Sequence, residues 1–198
     1  FGLSVAIYMS EVANSRILNL LKPIIELLSG IPSVVYGFFG LIVIVPFIQK
    51  VFNLPVGESG LAGSIVLAIM ALPTIITVTE DAMRNCPRAM REASLALGAS
   101  QWQTIYKVVI PYSVSGITSG VVLGIGRAIG ETMAVLMVTG NAAVIPHTIL
   151  EPLRTIPATI AAELGEAPAG GAHYEALFLL GVVLFFISLL INFTVEAV

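Results

Sequence analysis

The sequence predicts an all-α protein that crosses a membrane several times. Hydrophobic residues make up 57% of the chain, charged residues 11%, and the mean hydropathy is +0.99. Soluble domains are usually about 25% charged and less apolar, so the composition indicates a chain embedded in lipid. Uncharged segments that approach the length of a membrane-spanning helix, about 20 residues, recur along the sequence. A soluble bundle would need polar faces to cover such helices, and so short a chain has too few.

The apolar segments predict four complete membrane spans and one incomplete span. Phe1–Met9 is apolar but too short to cross a bilayer, and it lacks the basic residues that open a signal peptide. We expect it to be the end of a helix that begins outside this chain, and the chain to be the core of a longer protein. The complete segments are 31–52, 61–79, about 111–139 and 176–195. Pro46 interrupts the first segment, and Pro73 is expected to kink the second.

The basic residues predict the orientation of these spans. With alternating spans, the loops 11–22 and 81–107 fall on one side, and the loops near Lys50 and at 141–174 fall on the other. The first side holds Arg16, Lys22, Arg84, Arg88, Arg91 and Lys107, whereas the second holds Lys50 and Arg154. Because cytoplasmic loops carry an excess of Lys and Arg, we expect loop 81–107 in the cytoplasm and loop 141–174 outside. Within the outer loop, Ala158–Leu164 is predicted to form a short helix.

The remaining composition argues against several function classes. A net charge of -3 without a basic patch is unsuited to nucleic acid. Cys86 is the single cysteine, which excludes an internal disulfide and a cysteine metal cluster. His147 and His173 lack the spacing of zinc or haem ligands, so we expect no metal site in this chain.

The loop that is predicted to be cytoplasmic carries signals for two helices joined by a glycine turn. Pro87 suits the first turn of a helix, and Arg88–Leu97 supplies helix formers with a charged face. Gly98 suits the left-handed position after a helix, and Ser100 can cap a second helix, Gln101–Lys107. An ordinary amphipathic surface linker would show the same signals.

Residues within this loop, 81–111, resemble the EAA loop of ABC importer permeases. Glu92-Ala93-Ser94, Gly98 and Val108-Val109-Ile110-Pro111 stand at the spacing of that family's Glu-Ala-Ala, Gly and Ile-x-Leu-Pro. The departures from the family pattern, at Ser94, Val108 and Ile110, are small changes. The resemblance implies a coupling helix that docks into a groove of a cytoplasmic ATPase subunit. It assigns this role to Glu92, Ala93, Gly98 and Pro111.

Arg127 and Glu131 are the only charged residues from Val108 to Pro146. Charge at membrane depth is costly, so such residues usually face the protein interior or a water-filled path. We predict one helix through both residues, which places them on one face. Two roles stay open from physics alone. The pair either holds the helix bundle in register, or Arg127 binds an oxyanion on its path while Glu131 holds Arg127 between anions.

Glycines follow the same segment at spacings that suit helix packing. They are Gly116, Gly120 and Gly124, then Gly126 and Gly130. Small residues four apart allow membrane helices to approach closely. A nucleotide-binding loop is excluded because the glycine spacing differs, no strand precedes it and no phosphate-binding lysine follows.

The residues around Arg127 also resemble one family, the phosphate ABC transporter permeases. Gly126-Arg-Ala-Ile-Gly-Glu-Thr-Met-Ala-Val, continuing to Asn141, is similar to the family signature, and Ser29–Gly40 is similar to the start of its third helix. Glu-Thr-Met-Ala-Val favours the PstC type, since the PstA type more often has Glu-Thr-Ala-Pro. The stretch Arg154–Ala167 is also similar to the PstC type. The resemblance covers nearly the whole chain and implies a MetI-like helix bundle, of which this chain is a partial permease domain.

This resemblance implies a permease subunit of an ATP-driven importer of inorganic phosphate in the plasma membrane of a prokaryote. The implied partners are a second permease subunit of the PstA type, ATPase subunits, an extracytoplasmic phosphate-binding protein and the lipid bilayer. ATP would be bound and hydrolysed on the ATPase, so no enzymatic activity or cofactor is expected in this chain. Arg127 and Glu131 would lie on the translocation path. A gradient-driven anion carrier or channel and a structural membrane subunit remain alternatives, and the EAA-like loop argues against the first.

Overall fold

The computed structural model describes residues 1–196, and its regular elements are helices. In chain order these are α1 (Gly2–Val12), α2 (Ser15–Gly30), α3 (Ser33–Phe52), α4 (Gly60–Arg84), α5 (Arg88–Ala96), α6 (Gln101–Tyr112), α7 (Val114–Ile129), α8 (Met133–Val138), α9 (Ile156–Glu163) and α10 (Ala172–Glu196). In the described part of the chain, β-type pairing is confined to one isolated parallel β-bridge between Gly140 and Leu153. The predicted all-α class is confirmed.

The helices α3, α4 and α10 are long and apolar enough to cross a membrane by length and composition. They correspond to the predicted segments 31–52, 61–79 and 176–195. The pair α6 and α7 passes the same test together but bends by 70°, so it counts as a fourth span only if the bent pair is one. The spans differ in how much of their surface is buried by the rest of the chain. The buried share is 33% for α3 and 39% for α4 but only 6% for α10. Most of α10 therefore presents apolar side chains outward, as a helix against lipid or another subunit would.

Two prolines lie inside helices directly after a widened turn. Pro46 follows a π-helical turn at Gly40–Ile44, and Pro111 follows another at Ile105–Val109. A proline lacks an N–H and its ring clashes with the carbonyl four residues earlier. A π turn widens the helix at that carbonyl, so α3 and α6 continue through their prolines.

The prediction of one continuous helix from about 111 to 139 is wrong. The chain bends at Ser113, α7 ends at Ile129, and α8 begins only at Met133. The carboxylate of Glu131 accepts a hydrogen bond from the Ala134 N–H at 3.1 Å, which satisfies a free donor at the start of α8. Arg127 therefore lies on the last turn of α7, whereas Glu131 lies in the connection, and they do not share one helix.

The segment predicted as the loop 11–22 is also largely helical, because α2 begins at Ser15. The charged residues Arg16 and Lys22 led to the loop prediction, although the same segment has an apolar face. Along that face Leu18, Leu21 and Ile25 pack on Ala6, Met9 and Ile76. The spacing of these residues is that of an amphipathic helix.

The chain divides into two compact units. Of the described residues, one unit consists of Phe1–Gly30, Ala71–Ile125 and 192–196, and the other of Ile31–Met70 and Gly126–Ile191. In the first unit, Met83, Cys86 and Val109 form a buried cluster in addition to the one around α2. The core of the second unit is formed by Tyr36, Ile44, Val45, Ile48, Ala62, Val66, Met70, Ala134 and Val138.

Close contact between α3 and α8 holds the core of the second unit together. A Cβ on Gly37 would lie 2.8 Å from the Ala134 Cα, and one on Gly40 would lie 2.8 Å from Val138 Cγ1. Separations this short exclude larger side chains at both glycines. The start of α8 is therefore fixed on one side by Glu131 and on the other by α3.

Candidate functional site

The segment that resembles the EAA loop folds as the local signals predict. Helix α5 ends at Ala96, and Gly98 has a φ of 84°, the left-handed conformation that glycine adopts without strain. The side chain of Ser100 accepts from the Gln103 N–H while the Gln103 side chain accepts from the Ser100 N–H, which caps α6. Pro87 precedes α5 by one residue instead of lying in its first turn.

The positions that carry the EAA resemblance lie on the surface. Glu92, Ala93 and Gly98 on or beside α5 are exposed, as is Pro111 on the last turn of α6. Apolar side chains accompany them, since Leu95 is 50% exposed and Leu97 is 90% exposed. A short helix that presents apolar groups beside a carboxylate is suited to docking in a groove of another protein.

Arg91 is a less exposed residue of α5 that joins this helix to the rest of the first unit. Its guanidinium forms an ion pair with the Glu11 carboxylate and donates from Nη2 to the Met83 carbonyl at 2.8 Å. The side chain of Glu11 is 6% exposed. Gln101 Nε2 donates to the Glu11 carbonyl at 3.1 Å, so the end of α1 is bonded to α6 as well. In the sequence, Arg91 is recognisable only as one of the basic residues of loop 81–107.

Glu80 is a second functional candidate that the sequence reasoning missed. Its side chain is 1% exposed, and it forms ion pairs with Lys22 at 2.9 Å and with Arg84 at 3.0 Å. Lys22 also pairs with Asp81 at 2.9 Å. Hydrogen bonds to the two carboxylates raise the pKa of Lys22 above its ordinary 10.5. The ammonium form of Lys22 that makes these bonds is therefore fully present below pH 10.5 and is lost only as the pH rises through the raised pKa.

The predicted pair of charges occupies two different environments. Arg127 is partly buried at the end of α7, and its positive charge interacts electrostatically with the hydroxyl of Tyr36 in α3. Tyr36 is 8% exposed within the core of the second unit. Glu131, as described above, caps α8 through the Ala134 N–H. An acidic side chain at this place is also favoured by the positive end of the helix.

The glycines of α7 fall into two groups. A Cβ on Gly116, Gly120 or Gly124 would press into α4, at Ala82, Thr79 and Ile75 respectively. At Gly120 the separation from Thr79 Oγ1 would be 3.0 Å. Gly126 and Gly130 are different: nothing described lies within 4 Å at Gly126, and at Gly130 the nearest atom is a carbonyl of its own chain segment. Within residues 1–196, the first group forms a close helix contact of the small-residue kind, and the packing role of Gly126 and Gly130 stays a prediction.

One family model matches almost the entire chain. Its description is binding-protein-dependent transport system inner membrane component, and it matches residues 2–198. The chain belongs to this family.

Curated relatives and solved structures agree with the family assignment. A probable ABC transporter permease protein YqgH of Bacillus subtilis is 45% identical over 189 residues, which are 96% of this chain and 61% of that protein. The phosphate transport system permease protein PstC of Mesorhizobium japonicum is 37% identical over 209 residues, covering 96% of this chain and 64% of that protein. The PstC 1 protein of Mycobacterium tuberculosis is 37% identical over 209 residues, covering 94% and 62%. The chain thus spans about three fifths of the length of these relatives.

The fold of this family member is also that of a solved transporter. Inward facing conformations of the MetNI methionine ABC transporter match with a TM-score of 0.75 and 20% sequence identity, covering 100% of this chain and 83% of the matched chain. At this identity the match shows the fold alone. The predicted MetI-like helix bundle is confirmed, and the chain is a membrane protein of the binding-protein-dependent transport family.

The long loop of this family member between α8 and α10 is folded, not extended. Its short helix α9 occupies Ile156–Glu163, close to the predicted 158–164, and Thr155 caps it through the Ala158 N–H at 3.4 Å. Arg154 pairs with Glu163, which also lies 3.2 Å from His173 Nε2. Across residues 1–196 no group of three His, Cys, Asp or Glu side chains is arranged to hold a metal ion.

Proposed function

We propose that this chain is part of a permease subunit of an ATP-driven importer that carries inorganic phosphate across the plasma membrane. The observation that carries the proposal is the 37% identity to proteins named phosphate transport system permease protein PstC, over 94–96% of the chain. Family membership supports the transport role independently of that name. A subunit of this kind performs no bond chemistry, and it needs no cofactor of its own.

Arg127 is the proposed phosphate contact on the translocation path. Its guanidinium is planar, keeps its charge at all relevant pH values and offers paired donors that match phosphate oxygens. It is partly buried at the end of an apolar helix, where a cation in a low-dielectric setting attracts an anion more strongly than in water. Glu131 contributes to the path by fixing the bend after α7, since its carboxylate caps α8.

Coupling to ATP is proposed to run through α5. An ATPase subunit would dock on the exposed surface around Glu92, Ala93 and Gly98, with Pro111 near the bend between α6 and α7. This places loop 81–111 in the cytoplasm and the loop 141–174 outside, where a phosphate-binding protein would deliver its cargo. A second permease subunit of the PstA type would complete the path, and the outward apolar face of α10 is suited to lipid or to such a subunit.

The test is phosphate uptake by the complete transporter in proteoliposomes, with both permease subunits, the ATPase and the binding protein. Arg127→Ala is expected to abolish ATP-dependent uptake of labelled phosphate while the complex still assembles. Arg127→Lys should retain reduced uptake, because it keeps the charge and loses the planar paired donors. Arg16→Ala, an exposed arginine on α2, is the matched control and should behave as wild type.

Three results would contradict the proposal in different ways. Uptake that continues without the ATPase would favour a gradient-driven anion carrier or channel. Failure of Arg127→Ala to assemble, with normal uptake per assembled complex, would favour a structural role for Arg127. Normal uptake by an assembled Arg127→Ala transporter would exclude Arg127 from the phosphate path.

A further inference from the structure

Arg91 differs from the other charged residues of α5 in its burial and in the bonds that it forms. Arg88 and Glu92 are exposed, whereas the Arg91 side chain is 23% exposed and turns toward the first unit. There it forms an ion pair with Glu11 and donates to the Met83 carbonyl at 2.8 Å. One guanidinium therefore bonds to two other helices, the end of α1 and the last turn of α4.

The connection to α1 does not follow the covalent chain. Glu11 and Arg91 are 80 residues apart in sequence, whereas α4 joins α5 directly through the short turn at 85–87. Ser10 Oγ donates to Glu11 Oε1 at 2.7 Å, and Gln101 Nε2 donates to the Glu11 carbonyl at 3.1 Å. The end of α1 is thus held by residues of α5 and α6 together. A displacement of α5 would reach α4 along the backbone, but it reaches α1 through these side chains.

Burial makes the contact between Arg91 and Glu11 resistant to breaking. With 6% of its side chain exposed, the Glu11 carboxylate has little water to replace a lost partner. Separating a buried ion pair leaves a buried charge without its partner. This costs more free energy than separating an exposed pair, whose charges water can solvate. A force that moves α5 therefore moves the end of α1 with it instead of pulling the ions apart.

We propose that Arg91 is the positioning residue through which movement of α5 is transmitted to α1 as well as to α4. The inference rests on the proposed function, in which an ATPase subunit moves α5. Arg91 does not contact the ATPase in this account, because its guanidinium is bonded to Glu11 and to the Met83 carbonyl, whereas Glu92 and Ala93 are exposed. Its loss should leave docking and ATP hydrolysis in place and should impair the link between hydrolysis and transport.

The experiment compares Arg91→Met, Glu11→Gln and their double variant in the complete transporter, reconstituted with the partner permease, the ATPase and the binding protein. Arg16→Met is the matched control, because Arg16 is an exposed arginine of the same unit outside α5, and no bond of its side chain is found among residues 1–196. The readout is the amount of phosphate taken up per ATP hydrolysed, measured on assembled complexes. Charge-assisted hydrogen bonds of this kind correspond to about a tenfold change or more in an equilibrium.

We expect Arg91→Met to hydrolyse ATP near the wild-type rate and to take up about tenfold less phosphate per ATP. Glu11→Gln should lower the same ratio, and the double variant should be no worse than Arg91→Met, because the two residues act through one contact. Arg16→Met should match wild type. If Arg91→Met does not assemble, Glu11→Gln, which keeps the shape of the side chain, carries the test.

A wild-type ratio in Arg91→Met, or in Glu11→Gln where that variant carries the test, would overturn the inference. A double variant whose loss equals the product of the two single losses would also overturn it. Both results leave the proposed function intact, since wild type still takes up phosphate. Absence of ATP-dependent uptake by wild type would instead overturn the proposed function and this inference with it.

Discussion

Replacing Glu80 with Gln tests whether burial gives the ion pairs around Lys22 their strength. Glu80 and Asp81 both lie 2.9 Å from Lys22 Nζ, but the Glu80 side chain is 1% exposed and the Asp81 side chain is 55% exposed. The two carboxylates thus share a partner and a distance and differ in their access to water. Asp81→Asn is therefore a closely matched control.

The expected magnitude follows from the contacts that each variant loses. Glu80→Gln removes the charge from two ion pairs, to Lys22 and to Arg84, and each hydrogen bond to a charged group contributes about 1.5–3 kcal/mol. Lys22 and Arg84 are 32% and 47% exposed, so water compensates part of the loss. We expect a net destabilisation of about 2–3 kcal/mol for Glu80→Gln and below about 1 kcal/mol for Asp81→Asn.

Thermal unfolding of the purified transporter in detergent measures this difference. For a chain of this size, 1 kcal/mol corresponds to about 2–4 °C, so Glu80→Gln should lower the unfolding midpoint by about 4–12 °C. Asp81→Asn should lower it by no more than about 4 °C. An Asp81→Asn variant that is destabilised as much as Glu80→Gln would refute the reasoning, because burial would then have no effect on the strength of these pairs.

Two further predictions concern the helices around Arg127. Gly124→Val should weaken the contact of α7 with α4 and cost about 1–3 kcal/mol, because a Cβ there meets Ile75, whereas Gly126→Ala should be neutral or stabilising by up to about 1 kcal/mol in open space. Unfolding midpoints of the two variants check this, and equal destabilisation would contradict the assigned contact. Glu131→Ala should remove the α8 cap at a cost of about 1 kcal/mol, and Glu131→Gln should retain most of it through its amide oxygen. Hydrogen exchange at the Ala134 N–H measures this loss, and unchanged protection in Glu131→Ala would show that the cap contributes nothing.

Structural features that depend on interactions within a few residues could be predicted from the sequence. Gly98 and Ser100 predicted a helix end and a helix start because their conformational preference and capping bond are local properties. The spans α3, α4 and α10 were predicted because continuous apolar composition leaves little choice of environment. The EAA-like loop was located by the same local pattern.

Features that depend on residues far apart in the sequence, or on competing local hydrogen bonds, could not be predicted from it. Glu80 pairs with Lys22 across 58 residues, and Glu11 pairs with Arg91 across 80, so neither contact leaves a pattern in any short window. The break after Ile129 was missed because hydropathy continues across it, while the bond from Ala134 to Glu131 starts a new helix. Helix α2 was missed because Arg16 and Lys22 suggested a loop and obscured the apolar face.

The most direct test of the central claim is ATP-driven uptake of labelled phosphate by the complete transporter in proteoliposomes, in wild type and Arg127→Ala. We expect uptake that requires the ATPase and the binding protein in wild type, and no uptake by an Arg127→Ala complex that is correctly assembled. Phosphate uptake at the wild-type rate by assembled Arg127→Ala, or uptake that persists when the ATPase is omitted, would contradict it.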